Sequence, residues 1–205
     1  EDGMGLNTNL AVPTRAEVEG MGAGGAPGCP PNKYCVENAG SYKPNMTLKE
    51  ALATSPNTPF IEMAEKLGME RITDIAIKLG LRSYKNEGSF DGKHSVEEYV
   101  KDNNLGSFVL GPTAVDPLEL SNVAASLADH GRWCEPTPVL SVKDRNGKKV
   151  KMEKADCEQA IDKKIADALA NGLGSDVQQG TASASARAAG WSGPCLLYTS
   201  DAADE

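Results

Sequence analysis

Ser55 and Asn57, one residue apart across Pro56, are the side chains whose types and spacing best suit chemistry. A serine hydroxyl both donates and accepts a hydrogen bond. A carboxamide carries two N–H donors and an acceptor oxygen. Such a pair can pass a proton and hold an amide in place, but neither member is a general base.

The run from residue 47 to residue 60 has to position them. Thr47 and Glu50 form a Thr-x-x-Glu capping box that opens a helix. Leu48, Ala51, Leu52 and Ser55 then recur at i, i+3, i+4 and i+7, on one face. Pro56 ends that helix, and Asn57 or Thr58 is expected to cap the next, with Pro59 at its first position. Both polar side chains would then sit on a tight turn between helices, where both can face a cleft. Ser, Asn and Thr are also the commonest helix caps, so simple punctuation is the competing reading of the same triplet.

The surrounding pattern is mostly helical. A second helix is expected to run to Leu67, with Phe60, Met63, Ala64 and Leu67 inward and Gly68 as its stop. A third carries Ile72, Ile75, Ala76 and Leu79 and stops at Gly80. Residues 82–94 read as loop, and 95–103 as a short helix or turn. Asp116 caps a helix with Pro117 at its start and Leu120, Val123, Ala124 and Leu127 as its core face. Asn146-Gly147 lies between two alternating stretches and predicts a hairpin. Residues 156–173 predict one helix with Ile161, Ile165, Ala168 and Leu169 inward, and 180–189 a short one. Trp191 is expected to begin an edge strand. Residues 1–40 are rich in Gly and Pro; such a segment cannot build a core alone and is expected to drape over the domain as loop.

Composition narrows the function classes. The chain has 205 residues, 40% of them hydrophobic, enough for one globular core. A net charge of -8 argues against nucleic-acid binding, which needs a basic surface for phosphate contacts. Cysteine and histidine spacing does not suit zinc, and His94 and His130 are isolated. His130 precedes Gly131 and is expected to face a helix C-terminus rather than a metal. No metal or organic cofactor is expected.

Residues 195–205 back-translate to a string that looks like a transposase adapter used in sequencing libraries, so they are read as adapter-derived and set aside. Without Cys195, four cysteines remain, in two local pairs. These predict the disulfides Cys29–Cys35 and Cys134–Cys157, made in an oxidising compartment.

Several phrases recur in a specific order: the run 47–60, Leu79-Gly80-Leu81, Leu110-Gly111-Pro112-Thr113-Ala114-Val115-Asp116-Pro117, Trp133-Cys134-Glu135-Pro136, the hairpin around Asn146-Gly147, Gly180-Thr181-Ala182 and Ala189-Gly190-Trp191. On these, residues 38–191 resemble the transpeptidase domain of a class A (bifunctional) penicillin-binding protein, most like the actinobacterial ones. That family's motifs are Ser-x-x-Lys, Ser-x-Asn and Lys-Thr-Gly. Ser55-Pro56-Asn57 matches the second. Neither of the others occurs in this sequence. The chain starts on Glu1 rather than Met, and is expected to be an open-ended fragment whose missing motifs lie on either side.

The resemblance implies an α+β fold of the β-lactamase/transpeptidase type, here mostly its helical part with a small hairpin. The division implied is a loop segment over 1–40, a partial transpeptidase domain over 41–194 and the adapter-derived tail. The implied function is peptidoglycan D,D-transpeptidation through a serine acyl-enzyme, with D-alanyl-D-alanine stem peptides as substrates and β-lactams as ligands. Ser55 and Asn57 would be its catalytic residues in this span; Thr181, at an ordinary helix start, is left out of the site. The location implied is the extracytoplasmic face of the cell membrane, through an N-terminal anchor outside these residues, with a glycosyltransferase domain preceding in a class A protein. Two alternatives share the fold. A serine β-lactamase would need a deacylating Glu, for which Glu97 and Glu98 lie in about the right region in an unsuitable context. A non-catalytic penicillin-recognition or sensor domain would lack the nucleophile altogether.

Overall fold

The computed structural model describes residues 3–152, 156–191 and 193. The tail read as adapter-derived lies outside them.

The N-terminal segment is not a draped loop. β1 (Asn9–Ala11) pairs antiparallel with β5 (Asn45–Thr47). β2 (Arg15–Glu19) pairs antiparallel with β4 (Lys33–Glu37), and β3 (Gly24–Gly25) lies parallel beside β4. In β2 the alternation is plain: Ala16 and Val18 are buried while Glu17 and Glu19 face out. Gly and Pro content masked this period-two signal in the sequence. At Gly25 a side chain is impossible, because a Cβ there would lie 2.2 Å from the Cys35 carbonyl oxygen. The Cys29–Cys35 disulfide closes the same β3–β4 connection.

The helices follow: α1 (Leu48–Thr54), α2 (Asn57–Leu67), α3 (Met69–Leu79), then a 3-10 turn (Arg82–Lys85) and α4 (Val96–Asp102). The main core joins Ala16, Val18, Met21 and Val36 of the sheet region to Ile61 and Ala64 of α2, Met69 and Ile77 of α3, and Val96 and Val100 of α4. Burying a side chain the size of Ile61 contributes about 1.5–3 kcal/mol. The inward face of α3 is rotated from the one expected: Met69, Thr73, Ile77 and Leu79 are buried and Ile75 is 41% exposed. Thr73 enters the core because its hydroxyl donates to the Met69 carbonyl at 2.7 Å, leaving no unpaired polar group.

A 3-10 turn (Gly106–Leu110) leads to α5 (Pro117–Ala128), whose first N–H groups are capped by the Asp116 carboxylate. Val123 and Leu127 pack inward there, but Leu120 is exposed. β6 (Arg132–Cys134) and β9 (Cys157–Gln159) form a ribbon with Cys134 opposite Cys157, joined by the second disulfide. Between them stands the hairpin of β7 (Val142–Lys143) and β8 (Lys149–Val150), shorter than its alternation suggested. The single helix expected from residue 156 is thus a strand first. Pairing and cross-linking with β6 hold Cys157 extended, and α6 (Lys163–Leu173) starts only after the Asp162 cap. Ala166, Leu169 and Leu173 face the core, and Ile165 does not. α7 (Asp176–Gln179) and α8 (Ser183–Ala188) end the described structure. Trp191 is exposed and in no strand; its indole N–H donates to the Gly193 carbonyl.

Candidate active site

The capping box that opens α1 is formed as expected. Thr47 Oγ1 accepts from the Glu50 N–H at 3.2 Å, and the Glu50 carboxylate accepts from the Thr47 N–H at 2.8 Å. The Thr47 backbone N–H first, and then the Thr47 hydroxyl, which donates to the same carboxylate at 3.0 Å, hold the Glu50 carboxyl below its usual range.

Ser55 then turns the chain. Its backbone is left-handed, φ 55° and ψ 48°, and its N–H closes the helix on the Ala51 carbonyl at 2.9 Å. An L-residue is costly in this conformation, by roughly 1–2 kcal/mol, and helices usually place glycine there. Ser55 is half-buried, and among the described residues its hydroxyl makes no hydrogen bond. The side chain therefore does not stabilise the turn that it strains.

The last carbonyls of α1 have no partner within the helix. Those of Ala53 and Thr54 are taken up from two other parts of the chain. The Tyr42 hydroxyl, on the β4–β5 connection, donates to the Thr54 carbonyl at 3.2 Å and lies 3.5 Å from that of Ser55. The Thr181 N–H donates to the Ala53 carbonyl at 3.1 Å. Gly180 makes this last approach possible, since a Cβ on it would lie 2.0 Å from the Ala53 oxygen and 2.3 Å from Asp176 Oδ1. Asp176 Oδ1 in turn accepts from Thr181 Oγ1 at 3.1 Å and the Ala182 N–H at 3.0 Å.

Asn57 is the first residue of α2, not its cap. Pro56 occupies the cap position and has no side-chain acceptor to offer. Asn38, at the end of β4, supplies one instead: its Oδ1 accepts from the N–H groups of Asn57 at 2.8 Å and Thr58 at 3.0 Å. Asn38 Nδ2 is spent on the Pro13 carbonyl and Thr58 Oγ1, and buried Thr58 donates to Pro13 as well. The Asn57 side chain is thereby released from capping. Its Nδ2 donates to the Glu37 carbonyl at 3.1 Å, and among the described residues its Oδ1 accepts nothing. One N–H and the carbonyl of that amide remain for a ligand.

The turn thus holds Ser55 and Asn57 on either side of Pro56, both half-buried, with unused polar capacity on each. Sequence reasoning missed the residues that hold the turn: Asn38, Tyr42, Asp176 and the Gly180-Thr181 pair. Only the Gly-Thr phrase carried a signal, as part of the resemblance.

Glu97 and Glu98, weighed as deacylating groups, are both engaged. Glu98 closes a capping box with Ser95, accepting from its N–H at 3.0 Å and Oγ at 2.9 Å. Glu97 pairs with Lys101 at 2.8 Å. His130 lies just past α5, but its Nδ1 pairs with Asp167 of α6 at 2.6 Å rather than with the helix end. No cluster of three potential metal ligands occurs among the described residues.

A helical body with small, mostly antiparallel sheets and a Ser-x-Asn turn between two helices makes this an α+β protein. The family model of the penicillin-binding protein transpeptidase domain matches residues 27–193, and the chain belongs to that family. Among curated proteins it is similar to penicillin-binding protein 1A of Aquifex aeolicus, 28% identical over 138 residues, covering 67% of this chain and 16% of that protein. Its fold is that of penicillin-binding protein A of Mycobacterium tuberculosis, solved as a ceftriaxone acyl-enzyme complex, with TM-score 0.64 and 20% identity over 86% of this chain and 39% of that one. PonA1 of the same organism matches at TM-score 0.61 and 20% identity over 85% of this chain and 42% of the other. The chain thus spans a sixth of the curated relative and about two fifths of these structures.

Proposed function

We propose that these residues form part of a peptidoglycan D,D-transpeptidase in which Ser55 relays protons and Asn57 orients the reacting groups. The single observation that carries the reading is Ser55 itself, held in a left-handed turn with a hydroxyl that makes no hydrogen bond among the described residues. Strain of this kind persists where the surrounding structure over-determines it, and it concentrates at functional sites.

The sequence contains neither Ser-x-x-Lys nor Lys-Thr-Gly; in this reading the nucleophile, its lysine and the carboxylate-binding strand belong to other parts of the full protein. In the reaction the nucleophilic hydroxyl attacks the penultimate D-Ala carbonyl. A C–O ester bond forms, the C–N bond to the terminal D-Ala breaks, and the proton from the nucleophile passes to the departing amine. Ser55 suits the middle of that transfer, because one hydroxyl can accept from the lysine while donating to the leaving nitrogen. Asn57 has an acceptor and a donor to spare, one for the lysine and one for the substrate backbone. An acceptor amine from a second stem peptide then attacks the ester, forming the cross-link and returning a proton to the serine. β-Lactams present the same carbonyl and acylate the same serine. By this reading the protein works on the extracytoplasmic face of the membrane, tethered by a segment outside these residues, with a preceding glycosyltransferase domain if it is bifunctional. The engagement of Glu97 and Glu98 weighs against a β-lactamase.

The test is acylation of the complete protein by a fluorescent penicillin. Ser55→Ala and Asn57→Ala should each slow it at least about tenfold, within the usual range for a proton-transfer group, with melting temperatures close to wild type. Acylation at the wild-type rate in both variants would refute the assigned roles. Rapid nitrocefin turnover would point to the β-lactamase instead.

A further inference from the structure

We propose that Tyr42 is a positioning residue for Ser55; this rests on the proton-relay reading above. Tyr42 lies on the connection between β4 and β5, and its ring packs against the cluster of Val12, Met46 and Ala51. The ring is therefore seated by apolar contacts independent of its hydroxyl. That hydroxyl reaches the carbonyls on both sides of the turn, Thr54 at 3.2 Å and Ser55 at 3.5 Å. These two carbonyls belong to the peptide planes before and after the Ser55 Cα, and the planes fix where the Ser55 side chain points.

The strain at Ser55 makes such restraint necessary. A left-handed L-residue gains energy by rotating out of that region, so the conformation lasts only while its neighbours hold it. Among the described residues, three contacts hold the carbonyl end of α1. Two use backbone donors, the N–H groups of Ser55 and Thr181. The third is the Tyr42 hydroxyl, a side-chain contact that touches both planes. Without it the Thr54 and Ser55 carbonyls can swing to solvent. The Ser55 hydroxyl then samples directions that no longer bridge lysine and leaving group. A misplacement of about 1 Å is enough to cost orders of magnitude in rate.

Tyr42→Phe removes the hydroxyl and keeps the ring. The experiment compares the complete wild-type protein with Tyr42→Phe, Ser55→Ala and the double variant, measuring the rate constant for acylation by a fluorescent penicillin alongside thermal melting. Losing one neutral hydrogen bond suggests a slowing of about three- to tenfold for Tyr42→Phe, with little change in melting. The double variant should acylate no more slowly than Ser55→Ala alone, because the hydroxyl being aimed is already gone. A role in packing alone predicts the reverse: normal acylation in Tyr42→Phe and damage only when the ring is removed, as in Tyr42→Leu. Wild-type acylation by Tyr42→Phe, or multiplying effects in the double variant, would overturn the proposal and leave Ser55 untouched. Wild-type acylation by Ser55→Ala would instead remove the reading on which it rests.

Discussion

Replacing Ser55 by glycine separates function from folding by the sign of its effect. The serine hydroxyl makes no hydrogen bond among the described residues, so deleting it costs no bond in the fold. The left-handed backbone, φ 55°, costs an L-residue roughly 1–2 kcal/mol that glycine does not incur. Glycine also makes the unfolded chain more flexible, which returns about 0.4–1 kcal/mol of that gain. The net expectation for Ser55→Gly is a stabilisation of about 0.5–1 kcal/mol. For a chain of this length that raises the melting temperature by roughly 1–4 °C. Ser55→Ala keeps the strain and loses no bond, so its stability should lie within about 0.5 kcal/mol of wild type. Thermal unfolding of the isolated chain measures both. A helix-cap role predicts the opposite order, a loss of about 1 kcal/mol in Ala. Destabilisation of Ser55→Gly by more than about 1 kcal/mol would refute the reasoning, because it would mean that the side chain supports the turn after all.

Three further outcomes follow from the same structure. Gly180→Ala places a methyl 2.0 Å from the Ala53 oxygen, which is backbone and cannot swing aside; a loss of about 1–3 kcal/mol is expected, read by thermal melting, and a variant as stable as wild type would show that the contact is loose. Asn38→Ala strands the N–H groups of Asn57 and Thr58 at the start of α2 and should cost about 1–2 kcal/mol, with hydrogen exchange accelerating at those two amides. The third concerns Asp91 and His94. Hydrogen bonds from the His94 backbone N–H first, then the His94 ring and the Lys93 N–H, hold the Asp91 carboxyl at about 2. Asp91 in turn raises the His94 imidazole above 6.5. A depressed carboxyl stabilises the loop above its unfolded value of 3.8 and loses that support as pH falls toward 2. A raised imidazole stabilises it below 6.5 and loses that support as pH climbs through the folded value. The loop should be most rigid between those limits, and Asp91→Asn should return the His94 titration, followed by NMR, toward 6.5; an unmoved titration would refute the pairing.

Local signals were legible wherever one short stretch decides the outcome. The capping box of Thr47 and Glu50, the Asp116 cap and the two disulfides between nearby cysteines all appear as expected. Readings failed where distant contacts override local preference. Residues 157–159 look helical in isolation, but pairing with β6 and the bond to Cys134 hold them as a strand. Thr73, on which the apolar spacing is silent, is admitted to the core by a bond to its own helix. Helical spacing groups Ile75 with Ile72, Ala76 and Leu79 and points Ile165 inward, yet both are exposed, because which face of a helix is buried depends on partners that spacing does not name. The β2–β4 sheet was hidden by the glycines and prolines that its turns require.

The same division runs through the candidate site. Ser55 and Asn57 could be picked out because they lie together in the sequence, but what holds them in place does not. The turn is clamped from residues 38 and 42 on one side and from residues 176–181 on the other. Each clamp acts on backbone: Asn38 on the N–H groups that open α2, Tyr42 and Thr181 on the carbonyls that close α1. Backbone groups cannot be varied by substitution, so a clamp that grips them leaves the Ser55 hydroxyl and the Asn57 Oδ1 without structural duties among the described residues, while Asn57 Nδ2 keeps only its bond to the Glu37 carbonyl. A Ser-x-Asn serving as its own helix punctuation would spend its side chains on those same groups. Here Asn38 does the capping that Asn57 would otherwise do, and Ser55 bears a conformation better suited to glycine. Both departures from local economy fall on the two residues whose side chains suit proton relay and amide recognition, which is where a functional constraint should override local stability.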